Sequence, residues 1–388
     1  MIRVGFFMQQ TDKNWLGGIN YLSNLLKAIL LDPDRKINPV LFVPPETPES
    51  IISEFPKIEI IRTRLASKKS TFFLVRRILL LSLGHDFLLE KILKKYSIDV
   101  LSHSDAIGIR SEIPTIGWLP DFQHLRLKNL FSNQELWKRN QAFRRIINSC
   151  TTILLSSYSA KKDLDFFFSY SREKAQVLQF VSGLDDKTDI SQEEIMEKYG
   201  INSPYFHLPN QFWIHKNHEL VVKSLQILKN EKDIPLIIST GHTIDHRNPE
   251  FFDHLMQTVK EAGVQDSFRV LGTIPYPDLC AMMRHSIAVI NPSHFEGWST
   301  SVEEGKSLGK KILLSDISVH REQAPERSTY FNPNGAEELA EAMKDAIATY
   351  SPGDEEIFRS NASKKRLNRL IDFAKRYEAI VLEAIKRS

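Results

Sequence analysis

Cysteine is scarce in this sequence of 388 residues: only Cys150 and Cys280 occur, far apart along the chain. That count excludes a disulfide-held scaffold and a cysteine-based zinc site, and makes a reducing, cytosolic compartment the expectation. Long apolar runs are missing as well. A membrane-spanning helix needs about 18 consecutive apolar residues. The nearest candidate, 78–83, follows Arg76 and Arg77 and ends at Gly84, His85 and Asp86. The opening residues, Met1-Ile2-Arg3-Val4-Gly5-Phe6-Phe7, run into a strand pattern without the charged region, apolar stretch and cleavage site of a secretory signal. A strong net charge is also lacking. With 51 Lys+Arg against 48 Asp+Glu, the balance of +3 is too small for a dedicated nucleic-acid binder. Neither an internal repeat nor a low-complexity tract is present.

What the chain does have is 42% apolar and 26% charged residues, the composition of a globular protein able to bury full cores. At roughly 150 residues per domain, its length points to two domains. Charge is unevenly placed. Residues 1–180 carry 26 Lys+Arg against 17 Asp+Glu, whereas 181–388 carry 25 against 31. A basic first half is suited to an anionic surface or substrate; the alternative is an excess on solvated faces.

Short apolar runs alternate with helical patterns. The spacing predicts strands at 4–8, 40–43, 58–61, 99–102, 115–118 and 152–155, and again at 205–208, 236–239, 269–271, 287–290 and 312–314. Most are apolar throughout, as in strands covered on both faces. Leu22, Leu25, Leu26, Ile29 and Leu30 share one helical face. The alternation implies an α/β protein with parallel sheets and right-handed crossovers. A polar stretch at 182–189 breaks the pattern, which then restarts. The expected domains are 1–182, 190–350 and a helix at 351–388 packing back toward the first domain, with Phe358, Leu367, Leu370, Phe373, Tyr377, Ile380, Val381 and Leu382 spaced to pack.

The most specific stretch is Asn291-Pro292-Ser293-His294-Phe295-Glu296-Gly297-Trp298-Ser299-Thr300-Ser301, continuing to Glu304 and Gly309. It follows a buried strand and opens a helix. Small hydroxylated residues at a helix start leave backbone N–H groups and the positive dipole end pointing outward, an arrangement suited to phosphate. Glu296 and Glu304 are placed to accept hydrogen bonds from sugar or ribose hydroxyls. Taken alone, the stretch is equally a capped helix with solvated glutamates.

Pro292-Ser293, Glu296-Gly297, the seven residues between Glu296 and Glu304, and the closing Gly309 resemble the signature of retaining glycosyltransferases of the group 1 family. Other segments extend the resemblance: 206–218, similar to that family's diphosphate-binding segment; 315–322, similar to the strand-to-loop segment after the glutamate helix; and 118–124 with Gly17-Gly18 in the first half. It spans residue 2 to about residue 350 of the chain. It implies the GT-B architecture, two Rossmann-like doubly wound domains facing across a cleft where both substrates bind.

Carried onto this sequence, the resemblance implies that Lys216 neutralises the departing nucleoside diphosphate together with the helix start at Trp298, Ser299, Thr300 and Ser301. Glu296 grips donor-sugar hydroxyls, Glu304 the ribose, and Gly17 and Gly18, ahead of the first helix, let backbone approach the phosphates. The expected catalytic residues are Lys216, Glu296 and Asp121; substrate binding adds Gly17, Gly18, Gln211, Trp298, Ser299, Thr300, Ser301 and Glu304. Two positions depart from the family pattern. Gln211 stands where an Arg is frequent, and Pro120 stands before Asp121 where a His is frequent, leaving Gln123 or His124 to supply contacts; a satisfied structural role is the first reading of His124. His215 and His218 lack a carboxylate at metal-ligand spacing and are read as packing or hydrogen-bond partners.

Asp32-Pro33-Asp34 and Asp163-Leu164-Asp165 look superficially like a metal-holding Asp-x-Asp; they read instead as a turn and a solvated helix face. No metal and no cofactor beyond the nucleoside-diphosphate-sugar co-substrate is expected. Residues 70–96 mix Phe72, Phe73, Leu74 and Val75 with Arg76, Arg77, Lys91, Lys94 and Lys95. They suit either a pair of core-covering helices or a basic amphipathic segment on an anionic membrane. The expected activity is a metal-independent, retaining transfer from a nucleoside-diphosphate sugar such as a GDP-, UDP- or dTDP-hexose. The acceptor is a glycan or lipid-linked glycan in bacterial polysaccharide or lipopolysaccharide synthesis, and the expected location is the cytoplasm, either free or peripheral at the cytoplasmic face of the inner membrane. A GT-B epimerase or phosphorylase, or a non-catalytic nucleotide-sugar-binding subunit, is the alternative.

Overall fold

The computed structural model describes residues 1–9, 16–104, 107, 108, 110–182, 190–229 and 234–388. The chain divides into two compact units, Met1–Val181 with Asn368–Ser388, and Ser182–Leu367. Of the expected break at 182–189, residues 183–189 lie outside the described residues.

The first unit is built on a seven-stranded sheet. Its strands are β1 (Ile2–Phe7), β2 (Ile37–Val43), β3 (Glu59–Arg62), β4 (Val100–Ser102), β5 (Thr115–Leu119), β6 (Thr152–Leu155) and β7 (Ala175–Val177). They lie in the order β3-β2-β1-β4-β5-β6-β7, and every pairing is parallel. The second unit has six: β8 (Tyr205–Leu208), β9 (Leu236–Thr240), β10 (Phe268–Gly272), β11 (Val289–Asn291), β12 (Ile312–Ser315) and β13 (Ser328–Phe331). Their order, β10-β9-β8-β11-β12-β13, repeats the same plan, again parallel throughout. Each sheet therefore starts in its middle, grows to one edge and reverses. The reversal falls between β1 and β4 in one unit and between β8 and β11 in the other, and the loops at the carboxyl ends of those strands diverge there to leave a crevice. This is the expected α/β class with two Rossmann-like doubly wound domains.

The central strands β2, β6, β8 and β12 are buried almost without interruption, because helices cover both faces. The two strands that apolar runs failed to announce, β7 and β13, are edge strands. Ser328–Phe331 is only half-buried and mostly polar, since an edge has one neighbour fewer to demand apolar surface.

Residues Pro352–Arg387 form one helix. Its buried stripe, Leu370, Phe373, Ala374, Tyr377, Ile380, Val381 and Ala384, follows the 3.6-residue period and belongs to the first unit. Phe358 and Leu367, expected to pack, are exposed. The apolar face of Phe358 is instead covered by the Arg327 guanidinium, 3.8 Å from the ring centre. Residues 70–96 form two helices, Thr71–Leu83 and Phe87–Lys95. Among the described residues no helix is long and apolar enough to cross a membrane.

Candidate active site

The sharpest cluster lies in the second unit, where β8 and β11 part. After β8 the chain passes Gln211, which is exposed, and Phe212, which is fully buried, then tightens into a short turn at Ile214–Lys216. Asn217 ends that turn in the left-handed conformation, with φ 58°. Its side-chain amide donates to the carbonyls of Pro292 at 3.0 Å and Pro333 at 2.8 Å. The His294 N–H donates to the His215 carbonyl at 2.8 Å. These bonds pin the post-β8 turn to the post-β11 segment, so side chains 80 residues apart in sequence meet.

The meeting is an ion pair. Lys216 Nζ donates to Glu296 Oε1 at 2.6 Å, with the side chains only 14% and 8% exposed. Ser293 Oγ lies 2.7 Å from the same oxygen. Burial alone pushes the Glu296 carboxyl up, but the neighbouring Lys216 and His320, with the hydrogen bonds from Lys216 and Ser293, outweigh it and hold the group below its ordinary value. A buried charge pair of this kind is costly to desolvate and weak evidence for stability. It does present an ammonium group, already held in place, at the mouth of a parallel sheet.

The helix that follows β11 runs Thr300–Ser307. Sequence reasoning treats all the N–H groups from Trp298 to Ser301 as free, and one is not. The Ser299 N–H donates to Gln323 Oε1 at 3.3 Å, and Gln323 Nε2 returns a bond to the Ser299 carbonyl at 2.9 Å. The N–H groups of Thr300 and Ser301 carry no such bond among the described residues, as expected for a first helical turn. Asn291 Nδ2 reaches Ser299 Oγ at 2.8 Å and Ser301 Oγ at 3.3 Å, which ties the hydroxyls to the strand end. Further along the helix, Glu304 is buried and accepts from Tyr276 OH at 2.9 Å. Burial pushes its carboxyl up to about 7, the tyrosine hydrogen bond pulling the other way. Gly309 follows the helix at φ +67°, and a Cβ there would sit 2.5 Å from the Phe358 carbonyl oxygen, so that position requires glycine.

Of the predicted site residues, this unit brings Lys216, Glu296, Ser299, Thr300 and Ser301 to one strand reversal, with Trp298 between them and Glu304 on the same helix. Gln211 opens the loop that delivers Lys216. Gly17, Gly18 and Asp121 belong to the other unit. The two glycines do not precede the first helix; they lie in its first turn, Leu16–Leu31. Asp121 follows β5 and accepts from the Gln123 N–H at 2.9 Å, starting the short helix Gln123–Arg126. His124 is buried, its Nε2 3.1 Å from Asn140 Oδ1, and burial pushes it down to about 4. Asp163 is not on a solvated face: it is buried and paired with Arg126. Asp32 is a turn residue, accepting from the Asp34 N–H at 3.1 Å. His215 is buried and neutral, pushed down to about 3, and His218 stacks on Phe212 with ring centres 4.4 Å apart. Among the described residues no group of three His, Cys, Asp or Glu side chains is placed to hold a metal.

Three participants escaped sequence reasoning. His320 is fully buried; its Nδ1 lies 2.9 Å from the Ser315 carbonyl, so Nδ1 carries the proton and Nε2 is left as an acceptor. Gln323 closes the helix start, and Arg247, after β9, stacks its guanidinium over Trp213 at 5.3 Å. His320 lies inside the 315–322 segment already singled out. Gln323 ends the short helix Ser318–Gln323 and Arg247 sits on a turn after β9, and no local pattern encodes which distant group either one meets.

Two parallel sheets of Rossmann order, one with this charged pair at its reversal, define a two-domain α/β protein of the GT-B kind. Residues 191–365 match the family model described as glycosyl transferases group 1. That match falls within the second unit, Ser182–Leu367, and makes this part of the chain similar to the group 1 glycosyltransferases. It is 23% identical over 211 residues to the O-antigen chain mannosyltransferase RfbU of Salmonella typhimurium, a match covering 53% of this chain and 55% of that protein. The chain thus spans about half the length of this curated relative. Among solved structures it shares its fold with a glycosyltransferase from Rickettsia africae, at TM-score 0.67 and 16% identity over 99% of this chain and 98% of the other. It also matches Anabaena HepE in complex with UDP and glucose, at TM-score 0.66 and 14% identity over 99% and 100%.

Proposed function

We propose that the chain is a retaining, metal-independent glycosyltransferase that moves a hexose from a nucleoside-diphosphate sugar to a glycan or lipid-linked glycan in bacterial polysaccharide or lipopolysaccharide synthesis. The observation that carries this reading is the Lys216–Glu296 pair at 2.6 Å, beside the helix start at Thr300 and Ser301. When a donor enters, its diphosphate competes for the ammonium group, and Glu296 is released to accept from sugar hydroxyls. Thr300 and Ser301 supply N–H donors and the helix dipole to the phosphate oxygens. Glu304, on the same helix, accepts from ribose hydroxyls once deprotonated.

In the reaction the bond from the anomeric carbon to the diphosphate oxygen breaks, and the acceptor hydroxyl oxygen bonds to that carbon on the same face. The departing phosphate oxygen takes the hydroxyl proton. Charge accumulates on the leaving group, so stabilisation by Lys216 and the helix start is the protein's main contribution. The UDP and glucose held by HepE and the mannosyl transfer named for RfbU support a nucleotide-sugar donor of hexose type.

The test is a panel of GDP-, UDP- and dTDP-hexoses screened by thermal shift and then by donor consumption with and without a glycan acceptor. One donor raises the melting temperature and is consumed, faster with acceptor; EDTA leaves the rate unchanged; the product keeps the anomeric configuration by NMR. Inversion of that configuration, or dependence on a divalent ion, refutes those parts of the reading, and the absence of any nucleotide-sugar binding refutes it altogether.

A further inference from the structure

Among the residues assigned to the donor, Glu304 is held by a side chain that no motif includes. Tyr276 OH donates to Glu304 Oε1 at 2.9 Å, and the other carboxylate oxygen takes no hydrogen bond among the described residues.

Tyr276 is rigidly mounted. It opens the helix Tyr276–His285 after β10, between Pro275 and Pro277, and each proline ring fixes its own φ, which narrows the directions the tyrosine can take. Asp278, in the same first turn, is buried; it accepts from Tyr199 OH at 2.6 Å and pairs with Lys198 Nζ at 2.7 Å. The helix start is thereby tied to the helix Gln192–Tyr199. One turn further on, the Cys280 thiol meets the tyrosine hydroxyl. Yet Tyr276 is 44% exposed, so this anchoring does little to keep a ring out of water. What it secures is the hydroxyl on the carboxylate.

Glu304 needs such a partner for two reasons. Its side chain has three torsions and, unheld, samples several rotamers. Its burial also opposes ionisation. Charged neighbours give no relief. Glu303 and Lys306, on the same helix, pair with each other at 3.0 Å. The titratable groups facing Glu304 from the helix Tyr276–His285 are Tyr276 and Cys280. Both are neutral at pH 7, burial pushing the tyrosine up and the thiol up to about 12. Among the described residues, the Tyr276 hydroxyl is thus the donor that favours the carboxylate over the acid.

We propose that Tyr276 is a positioning residue for the donor: its hydroxyl holds one oxygen of Glu304 and so presents the other, as a carboxylate, to the ribose hydroxyls. This rests on the glycosyltransferase reading for the ribose, and Tyr276 acts through Glu304. Donor binding then sends the Glu304 proton to solvent. Affinity therefore rises with pH until the free carboxyl is ionised, and is level beyond.

The test is calorimetry and steady-state kinetics on the full chain, with whichever of GDP-mannose, UDP-glucose and dTDP-glucose binds most tightly. Tyr276→Phe weakens that binding about five- to tenfold at pH 7, and the loss narrows to about twofold at pH 9. The loss appears in KM, while kcat at saturating donor changes by less than about twofold, because the contact is the same before and during transfer. In a Glu304→Gln background, where an amide replaces the carboxylate, Tyr276→Phe weakens binding by less than about twofold and the pH dependence is flat. A loosened fold would weaken binding in both backgrounds. Losses equal at the two pH values, undiminished beside Glu304→Gln, or falling on kcat overturn the proposal. Donor binding indifferent to Tyr276→Phe overturns it and spares the transferase reading; a chain that binds no nucleotide sugar refutes both.

Discussion

The two units repeat one strand order and differ most where that order reverses. Between β8 and β11 the reversal is filled by a buried ion pair, Lys216 with Glu296, within a net of short hydrogen bonds from Ser293, Asn291 and Gln323. Between β1 and β4 it is filled by rings. Tyr21 stacks on Trp118 with centres 4.5 Å apart, and its hydroxyl lies 2.9 Å from His103 Nε2. His103 Nδ1 lies 2.9 Å from Ser102 Oγ, which accepts from Tyr377 OH at 2.7 Å. One reversal holds fixed charge at its centre; the other holds neutral aromatic surface at its centre and charge at its rim, where Lys68, Arg76, Arg77, Lys138 and Arg145 line a cavity of about 800 Å³. Strand order thus fixes where a crevice forms, and the few residues after each strand decide its chemistry.

That contrast is open to direct attack. Lys216→Ala should lower the rate of sugar transfer by about 10²–10³, the cost of removing one preorganised donor. A steady-state rate with the identified donor reads the loss. A loss of less than about tenfold would take the main charge stabilisation away from this pair.

A smaller effect concerns Glu304. Its folded-state carboxyl sits at about 7 because of burial, against an ordinary 4.5. The folded chain therefore holds that proton more tightly than the unfolded chain. Stability declines as pH rises from 4.5 to about 7 and is level beyond it. Glu304→Gln removes the decline, so thermal denaturation should find the variant more stable than wild type at pH 8, by up to about 3 kcal/mol, and no different at pH 4. An equal offset at both pH values contradicts the burial account.

In the aromatic reversal, Tyr377→Phe deletes only the bond to Ser102 and should cost about 1 kcal/mol in denaturant unfolding, without changing nucleotide-sugar affinity. Smallest of all, Arg247→Ala should weaken donor binding about two- to fivefold through the lost stack on Trp213. No change in that titration would remove Arg247 from the site.

Much of this was legible in the chain itself. The apolar runs of β2, β6, β8 and β12 announce buried parallel strands because helices cover both faces. The edge strands β7 and β13 were silent because an edge does not demand the same surface. Lys216 and Glu296 are singled out by the family resemblance, yet their contact depends on Asn217 bridging to Pro292 and Pro333 across more than one loop. Asp163 misled because its neighbours on the helix are charged, while its partner Arg126 comes from a different helix 37 residues earlier. The cavity beside Thr71–Leu83 had only half a signal: a basic, apolar segment from 70 to 96, with Trp118, Trp137 and Arg145 supplied from elsewhere.

The order of residues alone determined the alternation of strands and helices, the parallel sheets it forces, the glycine after the glutamate helix and the candidates for phosphate and sugar contacts, because each depends on side chains within a few turns of one another. Only the tertiary structure decided that Gln323 occupies one helix N–H, that burial raises Glu304, that Phe358 stays outside the core and that five cations surround one cavity. Those depend on which distant segments pack together, and desolvation and charge act through space, not along the chain.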